Sequence, residues 1–470
     1  MYNYTISKSV AANTEYLKKT LRLNKNFDII YRCMQVGDKT IAFFFVDGFC
    51  KDELIQKIMT FIYNIDENSI PDTAWEFSKK CIPYTEVDIF TDIEKVIEML
   101  LSGVICTFVD GIDSCIGIDA RTYPVRGISE PWKERVLRGS RDGFSETLVI
   151  NLALIRRRIR DPRLCSEILS VGERSKTNVS ICYIDDKVDK EMLDSVRNKI
   201  SDIKVEALTM NMESLAECLI KRGGLNPFPN FKYSERPDTA AASILDGNIV
   251  ILVDNSPEAM ILPTTIFEIL EEADDFYLPP LIGSYIRLSR LFIVLASLMV
   301  TPLWIFFLNN PELVPHWLDF ILITDDITVP VLLQLLILEI GIDGLRLAAI
   351  NTPNMLSTPL SVIAGIVLGE FAVKTGWFNS ESVFYMAFVS LATYTQPSFE
   401  FGYAIKFMRI ILLISTYFFN VWGFIGGILL TLILICSTKT ISGKSYIYPI
   451  IPFDAKKLKR KLLRLRLNKL

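Results

Sequence analysis

Hydropathy divides this chain in two, and that division limits the fold more than any motif does. Up to about residue 275 charges are dense and apolar runs are short; from Leu288 onward long uncharged stretches follow one another. A helix that crosses a bilayer needs about 20 mostly apolar residues. Residues 291–308 and 410–436 are free of charge, and the second run is long enough to span with tilt. Residues 331–350 are apolar but carry Glu339, Asp343 and Arg346, and two shorter apolar segments occupy 357–373 and 382–395. The pattern predicts an α/β N-terminal region of two subdomains followed by an all-α transmembrane helix bundle.

The expected boundaries are an N-terminal extension over 1–26, cytoplasmic α/β subdomains over 27–135 and 136–263, an interfacial linker over 264–287, a transmembrane domain over 288–437 and a basic tail over 438–470. Within the first part, three runs share a theme: IAFFFVDG (41–48), ICTFVDG (105–111) and IVILVDN (249–255). Each is β-branched or aromatic and ends in Val-Asp plus a turn former, the mark of a buried strand running into a turn. The second and third continue into another apolar run and predict hairpins. Helical periodicity over 92–101, 147–157 and 190–200 fills the spaces between them. The repeated aspartates could gather round a metal, but turn capping is the simpler role. The loop 226–238, rich in proline, is read as a docking or structural loop.

No catalytic chemistry emerges. The single histidine, His316, lies in an acidic loop and excludes most Ser-His and Cys-His arrangements. Eight of the nine cysteines fall in the first 218 residues with no CxxC pair, which suits a reducing compartment. The GKS at 443–445 lacks the earlier P-loop glycine, since position 438 is threonine, and follows a membrane helix. Arg156, Arg157, Arg158 and Arg160 close a helical pattern, where cations suit the helix dipole; a solvated face or a subunit contact is expected there. A net charge of −4 argues for no nucleic acid. No enzyme activity, cofactor or metal is expected.

Lysine and arginine set orientation. The last sixteen residues hold eight of them and no acid, and Arg287 and Arg290 precede the first apolar run. Both termini are therefore expected on the cytoplasmic side, with four crossings and the two short segments re-entrant. The tail alternates leucine with cations at helical spacing and can lie on an anionic leaflet.

Glu339, Asp343 and Arg346 are spaced four and three and share a helix face, where pairing across helices or an ion pathway would offset their burial. Thr358, Val362, Ile366 and Glu370 form one row of the next segment, and Ser361, Gly365 and Gly369 form a small-residue row beside it. Repeated around an oligomer, Glu370 would make a cation-favouring ring and Val362 and Ile366 apolar constrictions.

Four stretches, NLALIRRR (151–158), NPFPNFKYSERPD (226–238), NIVILVDNSP (248–257) and the NTPN…LSVIAGIVLGE run (351–370), resemble the GerA family of spore germination proteins. YIRLSRL (285–291), GEFAVKTGWF (369–378) and TQPSFEFGYAIKFMR (395–409) are most similar to a sporulation-stage branch of that family, with a germinant-receptor A subunit as the nearest alternative. The resemblance implies an A-type subunit of the inner spore membrane that self-associates, as a pentamer, and conducts monovalent cations early in germination. It also implies a small membrane partner in place of B and C subunits, and a pore along 357–370. A solute transporter and a non-conducting scaffold are the competing functions.

Overall fold

The computed structural model describes residues 4–66, 70–121, 134–220, 226–323, 328–351, 365, 370–441, 443 and 445–465. The chain forms two compact units. The first holds the chain up to residue 221 together with 231–263, and the second holds 226–230 and everything from Thr264 onward.

The first unit contains two five-stranded sheets in which every pairing between strands is antiparallel. Strands β1 (Ile29–Val36), β2 (Lys39–Val46), β3 (Val87–Phe90), β4 (Ile105–Val109) and β5 (Cys115–Ile118) take the order β1-β2-β4-β5-β3. Helices α1 (Val10–Thr20) and α4 (Ile93–Leu101) bury one face, with Leu17 and Val96 in the cluster around Phe44 and Phe108. Helices α2 (Asp52–Tyr63) and α3 (Ala74–Lys80) cover the other, around Phe43 and Ile116. Burial on both faces is why β4 reads as a continuous apolar run instead of an alternating one. Residues 4–26, which the sequence suggests are an extension, supply Ile6, Val10, Leu17 and Leu21 to this core.

The second sheet repeats the first. Helix α5 (Leu148–Arg158), strands β6 (Leu164–Val171) and β7 (Thr177–Ile184), helices α6 (Lys190–Ser201) and α7 (Met212–Leu219), strand β8 (Lys232–Ser234), helix α8 (Pro237–Leu245), and strands β9 (Ile249–Val253) and β10 (Ala259–Leu262) give the order β6-β7-β9-β10-β8. Side-chain clasps repeat with the strands. Asn13 Oδ1 accepts from Ser7 N and its Nδ2 donates to Ser7 O, at 2.8 and 2.6 Å. Asn151 makes the same two bonds with Ser145 at the same two distances. Asp110 accepts from Val10 N at 2.9 Å and Asp254 from Leu148 N at 3.1 Å. Two of the three Val-Asp aspartates therefore cap a helix start.

The halves meet at a buried ion pair. The Arg156 guanidinium lies 2.8 Å from Asp28, with side-chain exposures of 1% and 3%. Asn26 and Ser166 complete the network. Arg158 pairs with Asp142 at 2.7 Å. The expectation of a solvated arginine face fails at both positions, because each guanidinium has a fixed carboxylate within reach.

In the second unit, short helices α9 (Ile266–Ile269) and α10 (Asp274–Tyr277) lead into α11 (Pro280–Asn309). Helices α12 (Val331–Asn351), α13 (Ser380–Tyr394), α14 (Phe399–Ser437) and α15 (Ala455–Leu462) follow. Among the described residues, α11 and α14 are long and apolar enough to cross a bilayer.

Helix α14 is not one rod. Asn420 breaks it with φ 50° and ψ −125°. Positions 412 and 427 would be about 22 Å apart on a straight helix. Yet a Cβ on Gly427 would fall 2.4 Å from Leu412 Cδ1, and Ser415 Oγ donates to Gly423 O at 3.0 Å. The two arms therefore run back along each other, close enough that only glycine fits at 423 and 427. The charge-free run 410–436, expected to be a single span, is a helical hairpin turned at its one strongly polar side chain.

Candidate functional site

Helix α12 presents Glu339 and Asp343 to the first arm of α14. Arg409 approaches Glu339 Oε1 through Nη2 at 2.6 Å, and Lys406 Nζ lies 3.1 Å from Glu339 Oε2 and 2.5 Å from Asp343 Oδ2. Arg409 Nη1 also donates to Ser297 O of α11 at 3.0 Å. The side chains of Glu339, Lys406 and Arg409 are at most 8% exposed, whereas Asp343 is 33% exposed. Three helices are thus tied by two acids and two bases in apolar surroundings, where every charge has a partner.

Arg346, the third charge of the α12 face, lies apart from those carboxylate pairs. Its guanidinium sits 3.9 Å from the Phe399 ring centre and within 5.5 Å of Tyr394 and Tyr403. Aromatic faces solvate a delocalised cation well. Between Arg346 and the ion pairs a cavity of about 20 Å³ is lined by Asp343, Tyr403 and Ser390, among others. That space suits a single water.

The sequence pointed to Glu339, Asp343 and Arg346 but missed Lys406 and Arg409. Both precede Ile410, where the charge-free run begins, and so looked like flanking residues. Their spacing of three on a helix that starts at Phe399 was the available signal.

Of the pore-lining candidates, Thr358, Ser361, Val362, Ile366 and Gly369 lie outside the described residues. Gly365 is exposed, and among the described residues a Cβ there would meet nothing within 4 Å. Glu370 is 60% exposed and pairs with Lys374 at 2.5 Å.

A second charged cluster holds the start of α11. Asp275, fully buried, receives Arg287 Nε at 3.3 Å and Arg290 Nη1 at 3.0 Å. Arg287 reaches Glu271 at 3.2 Å, and Arg290 also pairs with Glu272. Both arginines are buried, so their charge is matched inside the protein. On α15, Lys461 contacts Glu268 and Glu271 at 3.3 and 3.2 Å. Burial acts to lower its pKa, but the two carboxylates outweigh it and the pKa is raised.

Asn226 Nδ2 donates to Leu434 O and Thr438 Oγ1 at 3.2 and 2.9 Å, and Phe228 packs on Phe401. The Asn-Pro-Phe-Pro segment, read from sequence as a docking or structural loop, thus joins the two ends of α14 within the helical unit.

A model of the Bacillus/Clostridium GerA spore germination proteins matches residues 15–470. The chain is 35% identical over 460 residues to stage V sporulation protein AF of Bacillus subtilis (strain 168), covering 98% of this chain and 93% of that protein. It is 26% identical over 468 residues to spore germination protein KA of the same organism, covering 98% and 85%. The crystal structure of the N-terminal domain of the A subunit of the Bacillus megaterium spore germinant receptor GerK3 matches 56% of this chain and 98% of that one, at 23% identity and a TM-score of 0.43.

Proposed function

This chain belongs to the GerA family of spore germination proteins, and from that premise we propose that it is the subunit of a homo-oligomeric ion channel, a pentamer, in the inner spore membrane. The channel releases monovalent cations and amplifies germination, working with a small membrane partner protein. Both termini face the spore core.

What supports the pore reading is the exposure of Gly365 and Glu370, the two described members of the small-residue and carboxylate rows. Among the described residues none comes within 4 Å of a Cβ at Gly365, which agrees with a face that a second copy could cover. The two carboxylates of α12, by contrast, are paired with Lys406 and Arg409, and Arg346 lies over aromatic rings, which suits a rigid support and not a conduit. Thr358, Ser361, Val362, Gly365, Ile366, Gly369 and Glu370 line the pore in this reading, with Glu370 as its cation-favouring ring.

Purified protein in planar bilayers should carry discrete monovalent-cation currents. Val362→Ala should raise open probability, and Glu370→Gln should lower cation-over-anion preference. If all three proteins are silent with and without the partner, the channel reading fails; saturable exchange without discrete currents would favour a transporter.

A further inference from the structure

The tail is bonded to the start of α11. Arg287 Nη1 donates to the carbonyls of Arg460 and Lys461 at 3.2 and 3.0 Å, and Arg464 N donates to Ser284 Oγ at 3.0 Å. With Lys461 held by Glu268 and Glu271, these bonds fix α15 against the first turns of α11. Two guanidinium nitrogens at the same junction, Arg287 Nη2 and Arg464 Nη1, are buried with no hydrogen-bond partner among the described residues.

Lys456, Lys457 and Lys459 are exposed, and among the described residues no carboxylate pairs with them. Lys457 lies 5.2 Å over the Tyr448 ring. Just before them Ile450, Ile451 and Phe453 are exposed, Phe453 to 72%. The height of this cluster is set by its anchor. Ser284 and Arg287 precede the charge-free run at 291 by seven and four residues, about 6–10 Å along a helix. A headgroup layer is about 5–8 Å deep on each side of the hydrocarbon. Tyr285, exposed to 71%, sits at the same level, where amphipathic rings collect.

We propose that Lys456, Lys457 and Lys459, with Ile450, Ile451 and Phe453 as an apolar wedge, form a docking site for anionic phospholipid headgroups in the leaflet where α11 begins. The proposal rests on the reading of α11 as a bilayer span. The lysines meet headgroup phosphates, the apolar side chains enter the acyl boundary, and Lys461 keeps the helix on the protein instead of on lipid.

The test uses the full chain, reconstituted in mixed phosphatidylcholine and phosphatidylglycerol and then extracted, with retained lipid counted by mass spectrometry. Phosphatidylglycerol should be retained above its share of the mixture, and less so at high salt. Replacing Lys456, Lys457 and Lys459 by Gln should bring the retained phosphatidylglycerol down towards its share of the mixture, whereas replacing them by Arg should preserve the enrichment. No enrichment in the wild type, or equal enrichment in the Gln variant, overturns the proposal. Alkaline carbonate washing of the same membranes separates the premise. A wild type released by the wash refutes α11 as a span; one that resists the wash without enrichment refutes the lipid site alone.

Discussion

Asn310, which ends α11, and Asn420, which turns the α14 hairpin, exchange their side-chain amides. Asn310 Nδ2 donates to Asn420 Oδ1 at 2.6 Å and Asn420 Nδ2 to Asn310 Oδ1 at 2.9 Å. The pair holds a residue with a Cβ at φ 50°, a conformation glycine adopts far more readily.

Asn420→Gly therefore removes backbone strain as well as the amide pair, whereas Asn420→Ala keeps the strain and loses the pair. Thermal unfolding in detergent should place the Ala variant below the Gly variant by about 1–3 kcal/mol. Equal stability of the two variants would show that the turn is unstrained.

Removing one member of the α12–α14 ion pairs leaves its partner buried and uncompensated. Glu339→Gln and Arg409→Gln should each lower stability by about 3–5 kcal/mol. The double variant should lose markedly less than the sum, because the two charges disappear together. Additive losses in that cycle would mean the pair is not coupled.

Asp110 and Asp254 do the same work in the two halves of the first unit. Asp110→Ala and Asp254→Ala should each cost about 0.5–2 kcal/mol. Amide exchange should quicken at the start of α1 in the first variant and of α5 in the second. A change at both helices in either variant would contradict local capping.

Asp185 gives the first unit an acid-sensitive contact. The Lys190 ammonium bonds its carboxylate and, with Arg22 and Lys25 adding their charge against a smaller opposing effect of burial, holds its pKa below the ordinary value. A pKa depressed on folding contributes stability that is full above the unfolded value, about 3.9, and disappears as pH falls through the folded value. Asp185→Asn should flatten the stability profile of the full chain below about pH 4 and leave its shape near neutrality unchanged.

The buried strands were legible because apolar runs ending in Val-Asp have few other uses, and β4, β5, β9 and β10 form the two hairpins that those runs predict. The place of α1 was not legible. Its apolar residues are few, and only the fold reveals Phe44 and Phe108 beneath them. In the helical unit the three α12 charges stood out, but the partners Lys406 and Arg409 and the turn at Asn420 depend on which helix lies beside which. A charge-free stretch looks the same whether it continues or doubles back. Reading 410–436 as one span also made the crossing count odd and forced the short segments to be re-entrant. The hairpin supplies a sixth apolar segment, and that constraint falls away.

The duplication in the first unit also keeps a record of where its halves parted. Helices α1 and α5, strands β2 and β7, and helices α3 and α7 stand 138 apart (148 − 10), and from α4 and α8 through β5 and β10 the offset is 144 (237 − 93). Strands β1 and β6 stand 135 apart (164 − 29), because the turn after β6 has five residues where the turn after β1 has two. The later half is therefore six residues longer between Leu219 and Lys232. That interval contains 226–230, the residues that leave their own half and join the helical unit. The longer half is thus the one whose chain leaves the first unit and returns to it, whereas every described residue of the other half stays inside that unit.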